Sequence, residues 1–378
     1  MQIKGKNRYR ALLITKILLS IVFSIRAPAQ QGGTVSGQVD DGPYIYKFHD
    51  LFNALWVEDG VLFEQFVLPS NYDSIKTHFN FSFEYKDLER TFSYRPRFRQ
   101  KYKRADSICI ISDIHGNYDS YIKLLKGVSV IDKELRWNFG KGHLVILGDI
   151  FDRGSQVTEL LWHIYGLEKE AAEAGGKVHV LFGNHEYMVL SNDLRYISAK
   201  YRETEKITGI SYADFFSEDN VLGSWLRSKP VAVKINDILL VHAGISPGIL
   251  TGGFSISEMN KIFHRDILGK DQDIVFENDK LSLLAGDQGP LWYRGYFTEE
   301  GISEEDLENI LDLYKVSKIV VGHTTGTSIR TLRNNRIIAI DAGIMNDLPG
   351  EILLIRNGEL FKARPGGIRS KIPGESEK

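Results

Sequence analysis

The sequence of 378 residues predicts an α/β fold. Three largely apolar stretches, residues 108–111, 144–147 and 177–182, have the length and composition of strands that are buried on both faces. Segments with a helical spacing of apolar residues follow the first two stretches, at residues 118–126 and 156–173. Such alternation is typical of α/β domains, in which ligands bind where the strands end.

The composition is that of a soluble globular protein. Hydrophobic residues make up 43% of the chain and charged residues 25%, and the net charge of −2 gives no indication of a nucleic-acid or anionic-membrane partner. The single cysteine, Cys109, excludes an intramolecular disulfide. It lies inside an apolar strand, which predicts a buried and unreactive thiol.

The first 29 residues have the layout of a secretory signal peptide. A basic start precedes an apolar run at residues 11–25, and Ala27-Pro28-Ala29 supplies the small residues of a cleavage site after Ala29. We therefore expect a periplasmic or secreted mature protein with no stable membrane anchor after cleavage. The alternative is an uncleaved anchor, although the apolar run is shorter than the roughly 20 residues that span a bilayer.

The rest of the chain is predicted to form four segments. They are a flexible leader (residues 30–42), an N-terminal β extension packed on the main domain (43–104), the main domain itself (105–365) and a disordered tail (366–378). Within the extension, residues 77–85 are aromatic and are predicted to form a further strand. Residues 95–104 are basic with interleaved aromatics; we interpret them as a solvated linker, since their spacing fits no nucleic-acid-binding module. The alternative is an anion-attracting rim near an active site.

Polar side chains follow five separate apolar strands. Asp113 and His115 come after the first strand, and their i, i+2 spacing places them on one side of an extended strand end. Gly116 and Asn117 then allow the backbone to turn away. The five strand ends together supply two carboxylates, three imidazoles and one amide, on Asp113, His115, Asp149, Asn184, His242 and His323.

This set of side chains suits two metal ions that share a bridging carboxylate. Two metals about 3.5–4 Å apart are a known arrangement for in-line attack on phosphorus. Oxygen and nitrogen donors without a thiolate fit Fe, Mn or Zn better than copper or calcium. The sequence therefore predicts a site for two metal ions, Mn, Fe or Zn, where the strands end.

Three blocks of the sequence resemble the signatures of the phosphoprotein phosphatase branch of calcineurin-like metallophosphoesterases. They are Ser-Asp-Ile-His-Gly at 112–116, Gly-Asp-Ile-Phe-Asp-Arg-Gly at 148–154 and Gly-Asn-His-Glu at 183–186. His242 and His323 match the two later histidines of the family, so the resemblance covers roughly residues 106–345. It implies a metallophosphatase fold, with a central β-sandwich flanked by helices and a dinuclear metal site at the strand ends.

The resemblance also implies how the metals are held. Asp113, His115 and Asp149 would bind the first metal, and Asp149 would bridge to the second. The second would be completed by Asn184, His242 and His323. In this family a hydroxide that bridges the metals attacks the phosphate directly.

Further residues are implied to act on the substrate. His185 would protonate the leaving oxygen, oriented by the carboxylate of Asp152. Arg153 and Arg294 would bind the phosphate together with Asn184, because a guanidinium can grip phosphate through two parallel hydrogen bonds. For Arg294 the alternative is a surface arginine in an aromatic loop.

Departures from the family pattern bear on the substrate. Eukaryotic serine/threonine phosphatases of this branch carry an arginine where this chain has Phe182, and residues 341–343 replace their C-terminal Ser-Ala-Pro-Asn-Tyr segment. Residues 289–295 and 41–44 look instead like the Shewanella-like bacterial phosphatases, some of which prefer phosphotyrosine.

The predicted function is that of a dinuclear-metal phosphomonoesterase. Its substrate would be a phosphorylated protein, on tyrosine or on serine/threonine, or a small phosphoester. One alternative is a nucleotide or dinucleoside-polyphosphate hydrolase, which the same core supports. A second alternative, a non-catalytic binding module, predicts losses among the metal ligands or the acid, and the sequence has none.

Overall fold

The structure, a computed structural model, describes residues 39–93, 99–298, 301–346 and 348–373. The predicted signal peptide and most of the predicted leader lie outside these residues. Across the described ranges, no helix is long and apolar enough to cross a membrane.

The strands of the described chain belong to three sheets. In chain order they are β1 (Asp41–Phe48), β2 (Leu51–Glu58), β3 (Val61–Val67), β4 (Lys101–Tyr102), β5 (Ser107–Ile111), β6 (His143–Ile146), β7 (Lys177–Val180), β8 (Ala232–Ile235), β9 (Ile238–Val241), β10 (Lys318–Val321), β11 (Arg330–Leu332), β12 (Ile337–Ala339), β13 (Ile352–Arg356), β14 (Glu359–Ala363) and β15 (Arg369–Lys371). The first three strands form an antiparallel sheet of their own. The other two sheets have the orders β15-β14-β13-β5-β6-β7 and β11-β12-β10-β9-β8-β4.

Helices surround these sheets. In chain order they are α1 (Tyr72–His78), α2 (Tyr85–Ser93), α3 (Tyr118–Gly127), α4 (Val157–Glu173), α5 (Asn184–Leu190), α6 (Ala199–Thr208), α7 (Val221–Leu226), α8 (Pro247–Thr251), α9 (Ile256–Ile262), α10 (Gln272–Glu277), α11 (Asp279–Ala285) and α12 (Glu304–Tyr314). α12 is capped at its start, where the Ser303 side chain accepts a hydrogen bond from the backbone N–H of Asp306.

The two six-stranded sheets pack face to face as a sandwich. Ile108 and Ile110 of β5 lie in one apolar cluster with Leu240 of β9, between the sheets. Cys109 and Ile111 point the other way, into the larger cluster that the helices cover. This alternation follows from the two-residue period of a strand, and it explains why these strands are apolar throughout. The predicted α/β class with a helix-flanked β-sandwich is confirmed.

The central strands bring their polar ends to one edge. β5, β6 and β7 run parallel in one sheet, and β9 and β10 run parallel in the other. Parallel neighbours end at the same edge of a sheet. The residues after each of these strands therefore converge, which positions the site described below.

The N-terminal region packs on the main domain through a buried carboxylate. Asp41 Oδ2 accepts hydrogen bonds from Tyr44 Oη at 2.7 Å and Thr204 Oγ1 at 2.8 Å, and its Oδ1 accepts one from Thr158 Oγ1 at 2.9 Å. The ring of Tyr44 stacks on Phe215 with centroids 3.9 Å apart. β1 begins at Asp41, two residues before the predicted start of the extension at residue 43. The hydrogen bonds of Asp41 tie this strand to helices α4 and α6.

Two local predictions are wrong. Residues 77–85 do not form a strand: they comprise the end of α1, a loop and the start of α2. Phe81 and Phe83 of that loop pack against Trp162 of α4, so their alternation reflects aromatic stacking rather than a sheet. The predicted disordered tail is also wrong for residues 369–371, because β15 pairs antiparallel with β14.

Candidate metal centre and catalytic site

Asp149, which follows β6, lies at the centre of the converging strand ends. Its Oδ2 is 3.4 Å from His242 Nε2, 3.6 Å from His115 Nε2 and 4.0 Å from His185 Nε2. Two groups of buried ligand-type side chains result, each with its ligand atoms within 4.8 Å of one another: His115–Asp149–His185 and Asp149–His242–His323. Asp149 is common to both groups, which is the arrangement that a bridging carboxylate requires.

The site residues lie in tight loops rather than on extended strand ends. β5 stops at Ile111, and Asp113 and His115 both have left-handed backbones, with φ of 53° and 47°. Asp149 and His323 share this conformation, with φ of 55° and 63°. The predicted reason for pairing Asp113 with His115, the i, i+2 geometry of an extended strand, is therefore wrong. Left-handed non-glycine residues are strained and cluster at functional sites.

Glu186 holds one of these loops in place. Its Oε2 accepts hydrogen bonds from the backbone N–H groups of Asp149 at 2.8 Å and Gly183 at 2.7 Å. Its Oε1 accepts from Ile150 at 2.7 Å and Phe151 at 3.3 Å. One buried carboxylate thus joins the loop after β6 to the start of α5 and fixes the position of Asp149.

The histidine tautomers suit metal binding through Nε2. His115 Nδ1 lies 2.8 Å from the carbonyl oxygen of Phe151, and His242 Nδ1 lies 2.6 Å from that of Leu147. Each Nδ1 must carry a proton to donate these bonds, which leaves Nε2 directed at Asp149 as the ligand atom. His323 Nε2 is buried and has no hydrogen-bond partner among the described residues. A cation fits this set of buried nitrogens and carboxylate oxygens.

Burial and neighbouring charges shift the pKa values of these groups. Burial lowers the pKa of His115 to about 4 and that of His323 to about 2, so both rings are neutral at neutral pH. For His242 burial acts downward, but the carboxylates of Asp149 and Asp113 outweigh it and raise the pKa to about 9. Positive charge next to Asp149 is therefore strongly favoured, as metal binding requires.

Asp113 and Asn184 lie at the edge of the cluster. The carboxylate of Asp113 accepts hydrogen bonds from the backbone N–H of His323, at 3.0 and 3.1 Å, and from the Ser112 hydroxyl. Asp113 belongs to neither of the two groups described above. Asn184 Oδ1 lies 3.0 Å from His242 Nε2, on the side of the second group.

His185 is paired with a carboxylate and is not held by a backbone carbonyl. Its Nδ1 lies 2.6 Å from Asp152 Oδ2, and its ring meets that of His115 edge to face with centroids 4.7 Å apart. Burial acts to lower the pKa of His185, but the carboxylates of Asp149 and Asp152 outweigh burial and raise it. A buried, proton-retaining imidazole beside a candidate metal centre can act as a general acid.

The two predicted phosphate-binding arginines lie at different parts of the site, Arg153 beside Tyr196 and Arg294 beside His323. The Arg153 guanidinium lies over the ring of Tyr196, with its central carbon 5.5 Å from the ring centroid. Arg294 donates hydrogen bonds to the carbonyl oxygen of His323 and the hydroxyl of Thr324, both at 3.1 Å. Both arginine side chains are exposed, so an anion can reach them.

The sequence patterns did not predict the roles of several residues near the cluster. Glu186 stands three residues after Gly183, the spacing by which a glutamate reaches back to the start of a helix, so its role was open to prediction. The buried carboxylate of Asp341, whose pKa burial raises, gives no local signal because tertiary folding alone brings it near Asp113 and His242. Tyr196 likewise gives no local signal in the sequence.

Comparison with known proteins identifies relatives. The sequence profile of the calcineurin-like phosphoesterase family matches residues 106–325. The Shewanella-like protein phosphatase 1 of Plasmodium berghei is 30% identical over 248 residues, 63% of this chain and 67% of that protein. The symmetrical bis(5'-nucleosyl)-tetraphosphatase of Buchnera aphidicola is 33% identical over 147 residues, 37% of this chain and 45% of that enzyme.

Solved structures add a likeness over nearly the whole fold. The crystal structure of a cold-active protein-tyrosine phosphatase from a psychrophilic Shewanella species superposes with a TM-score of 0.80 and 32% identity, covering 88% of this chain and 99% of that one. The family match spans more than half of the chain and contains the clustered strand ends described above. This chain belongs to the calcineurin-like phosphoesterase family and is a metal-dependent phosphoesterase.

Proposed function

We propose that this protein is a dinuclear-metal protein phosphatase that hydrolyses phosphotyrosine monoesters. The observation that carries the proposal is the position of Asp149, whose Oδ2 faces His115, His185 and His242 within 4.0 Å. One carboxylate shared by two groups of histidines, one of which includes the carboxylate-paired His185, matches the needs of phosphomonoester hydrolysis.

The ligands proposed for the two metals are those that the family resemblance implies: they comprise the two groups without His185, together with Asp113 and Asn184 at the edge of the cluster. Asp113, His115 and Asp149 would hold one ion, and Asp149, Asn184, His242 and His323 would hold the other. The donor set suits Mn, Fe or Zn. When bound, the ions would lower the pKa of water between them and compensate the charge of the phosphate oxygens. Asp113, whose carboxylate accepts from the His323 N–H, would supply a further carboxylate oxygen to the first ion.

His185 is proposed to donate the proton that the leaving oxygen needs. Asp152 fixes the ring through Nδ1 and helps to keep it protonated, which leaves Nε2 free to face the substrate. Asn184 precedes His185 at the start of α5, so the ligand and the acid are positioned by the same helix turn. His185 would thereby hold its proton at Nε2, the nitrogen that faces the leaving group.

Arg153 and Arg294 are proposed to bind the phosphate from two sides, together with Asn184. The Arg294 guanidinium is anchored to the loop of His323, and the backbone N–H of Arg153 donates to the carbonyl oxygen of Tyr196 at 2.8 Å. The Arg153 guanidinium itself lies over the ring of Tyr196, so both guanidinium groups keep N–H groups available to an anion.

A cleft beside the site offers room for the part of a substrate that extends beyond its phosphate. A cleft of about 630 Å³ is lined by residues that include Asp193, Arg195, Phe276 and Trp292. The ring of Trp292 lies 6.1 Å from that of His323, so the cleft opens next to the candidate metal centre. The likeness to a Shewanella protein-tyrosine phosphatase over most of the chain supports phosphotyrosine in particular.

Dinucleoside polyphosphates are the second candidate substrate. The likeness to a bis(5'-nucleosyl)-tetraphosphatase favours this function, although it covers only 37% of this chain.

Secretion or export to the periplasm is proposed from residues 1–29. Cell fractionation after expression, followed by N-terminal sequencing of the mature protein, tests this proposal.

One substrate panel tests the proposed function. Purified protein with Mn²⁺ is assayed against a phosphotyrosine peptide, its phosphoserine counterpart and diadenosine tetraphosphate, with and without a chelator. We expect chelator-sensitive release of phosphate, with the highest kcat/KM on the phosphotyrosine peptide. Cleavage of diadenosine tetraphosphate without hydrolysis of either peptide would establish the second candidate instead.

A further inference from the structure

Tyr196 is an exposed aromatic side chain at the mouth of the site. It lies in the loop between α5 and α6, and 44% of its surface is accessible. Its ring centroid is 5.4 Å from that of His185, with the planes tilted by 58°. The ring therefore stands beside the proposed acid with much of its surface open to a ligand.

Two arginines and a backbone hydrogen bond restrain this tyrosine. The central guanidinium carbons of Arg153 and Arg195 lie 5.5 and 5.6 Å from the ring centroid. Arg195 is itself fixed by Asp193, whose two oxygens accept its Nε and Nη2 at 2.8 Å each. Both distances lie within the roughly 6 Å of a cation–π contact. The two guanidinium groups therefore orient the ring, while 44% of the surface of Tyr196 stays accessible.

We propose that Tyr196 is the aryl-binding residue of this active site, against which the ring of a phosphotyrosine leaving group packs. The proposal rests on the proposed function, in particular on His185 as the acid. A leaving oxygen must lie within hydrogen-bond reach of His185. The group attached to that oxygen then lies beside His185, where the exposed ring is that of Tyr196.

The distances suit an aromatic pair. Aromatic rings interact favourably with centroids 4.5–7 Å apart in tilted or edge-to-face arrangements. Because the Tyr196 centroid lies 5.4 Å from that of His185, a phenol ring bonded to an oxygen beside His185 has an aromatic partner within reach on the Tyr196 side. The short methylene of phosphoserine offers no such surface. Tyr196 therefore favours aryl over alkyl phosphates without touching the phosphorus.

The experiment compares Tyr196→Ala and Tyr196→Phe with the wild type. Each holoenzyme is assayed on two peptides of one sequence, carrying either phosphotyrosine or phosphoserine, and the ratio of the two kcat/KM values is recorded. We expect the ratio to fall roughly five- to tenfold in Tyr196→Ala, as loss of one aromatic pair predicts, and to hold within about twofold in Tyr196→Phe. Leu313→Ala, which removes an exposed side chain of α12, is the matched control.

The outcomes separate the inference from the function on which it rests. Equal losses on both peptides, an unchanged ratio in Tyr196→Ala, or a phenylalanine variant that behaves like alanine would each overturn the aryl-binding role. A wild-type enzyme that is inactive on both peptides would instead overturn the proposed function. The melting temperature and the metal content of each variant are measured to check the fold and the metal centre. We expect both to be unchanged, because the hydrogen bond from the Arg153 N–H to the Tyr196 carbonyl oxygen is made by the backbone.

Discussion

The Nδ1 atom of His185 lies 2.6 Å from Oδ2 of Asp152, and both side chains are buried. The second oxygen of Asp152, Oδ1, is buried without a hydrogen-bond partner among the described residues. The carboxylate is therefore committed to the imidazole. It orients the ring and stabilises its charged form, as expected of the partner of a general acid.

Asp152→Asn is expected to move the basic limb of the pH–rate profile to lower pH. Asp149 and Asp152 raise the pKa of His185, so the acid form is present below that pKa and is lost as pH rises through it. An amide removes one of these charges, and the pKa falls. We expect kcat to drop roughly tenfold to a thousandfold. The profile of kcat on an aryl phosphate measures both effects, and an unmoved limb would show that Asp152 does not act through His185.

His185→Asn provides the companion test of the acid itself. We expect it to lower kcat by about 10²–10⁴ while metal content is retained, because the ring is not among the proposed ligands. Metal content measured on the same sample distinguishes loss of the acid from loss of the site. A variant with the wild-type rate would remove His185 from its assigned role.

His323→Ala is expected to lower bound metal from two ions per chain toward one. The variant removes one ligand from the Asp149–His242–His323 group, whereas the group that contains His115 keeps its own. Elemental analysis after equilibrium with Mn²⁺ measures the change, with His78→Ala, a half-exposed surface histidine, as control. Full retention of two ions in His323→Ala would exclude it as a ligand.

Asp41→Ala is expected to destabilise the protein by about 2–4 kcal/mol, because three hydroxyl donors lose a buried charged acceptor. These donors belong to Tyr44, Thr158 and Thr204, so the loss affects the packing of β1 on α4 and α6. Urea denaturation measures the free energy of unfolding. The exposed turn variant Asp50→Ala should change it by less than about 0.5 kcal/mol; an equal effect of the two variants would contradict the anchoring role of Asp41.

Stability should fall as the pH drops from about 6.5 to about 4, in part because of one histidine pair. His179 Nε2 lies 3.0 Å from His143 Nδ1, and burial, then nearby Lys177, lowers the pKa of His143 to about 4. Burial and the charge of His143 also lower the pKa of His179. The unfolded chain, with an ordinary pKa near 6.5, binds more protons in this window, so the contribution is complete above pH 6.5 and is lost as pH falls.

The double variant His143→Gln/His179→Gln tests this sign. Its free energy of unfolding should lose about 1–3 kcal/mol less than that of the wild type between pH 7.5 and pH 4.5. Urea denaturation at the two pH values gives the comparison. Metal ligands contribute equally to both proteins and cancel in the difference. Identical pH slopes would show that the pair stays unprotonated in the unfolded chain or protonated in the folded one.

Much of the site was predictable because its ligands follow strands whose apolar pattern is local. Asp149, His242 and His323 each come one to three residues after the end of such a strand, and parallel strands end together. The sequence could not predict the left-handed loops that aim these side chains, because that conformation is imposed by tertiary hydrogen bonds such as those of Glu186. Asp341 and Tyr196 were missed for the same reason, since folding alone brings them near the cluster.

The fold was less predictable where aromatic residues dominate. Residues 77–85 alternate like a strand, but Phe81 and Phe83 are buried against Trp162 instead of in a sheet. Charge and glycine content suggested a frayed tail, yet β15 adds to a sheet edge through backbone hydrogen bonds that composition does not report. In both places tertiary contacts override the local pattern.

Titration of the metal-free protein with Mn²⁺, followed by hydrolysis of a phosphotyrosine peptide, measures how many ions the active site needs. We expect negligible activity without metal and a rise that is complete at two equivalents of Mn²⁺ per chain. Activity that persists in the metal-free protein, or that is complete at one equivalent, would contradict a dinuclear site organised around Asp149.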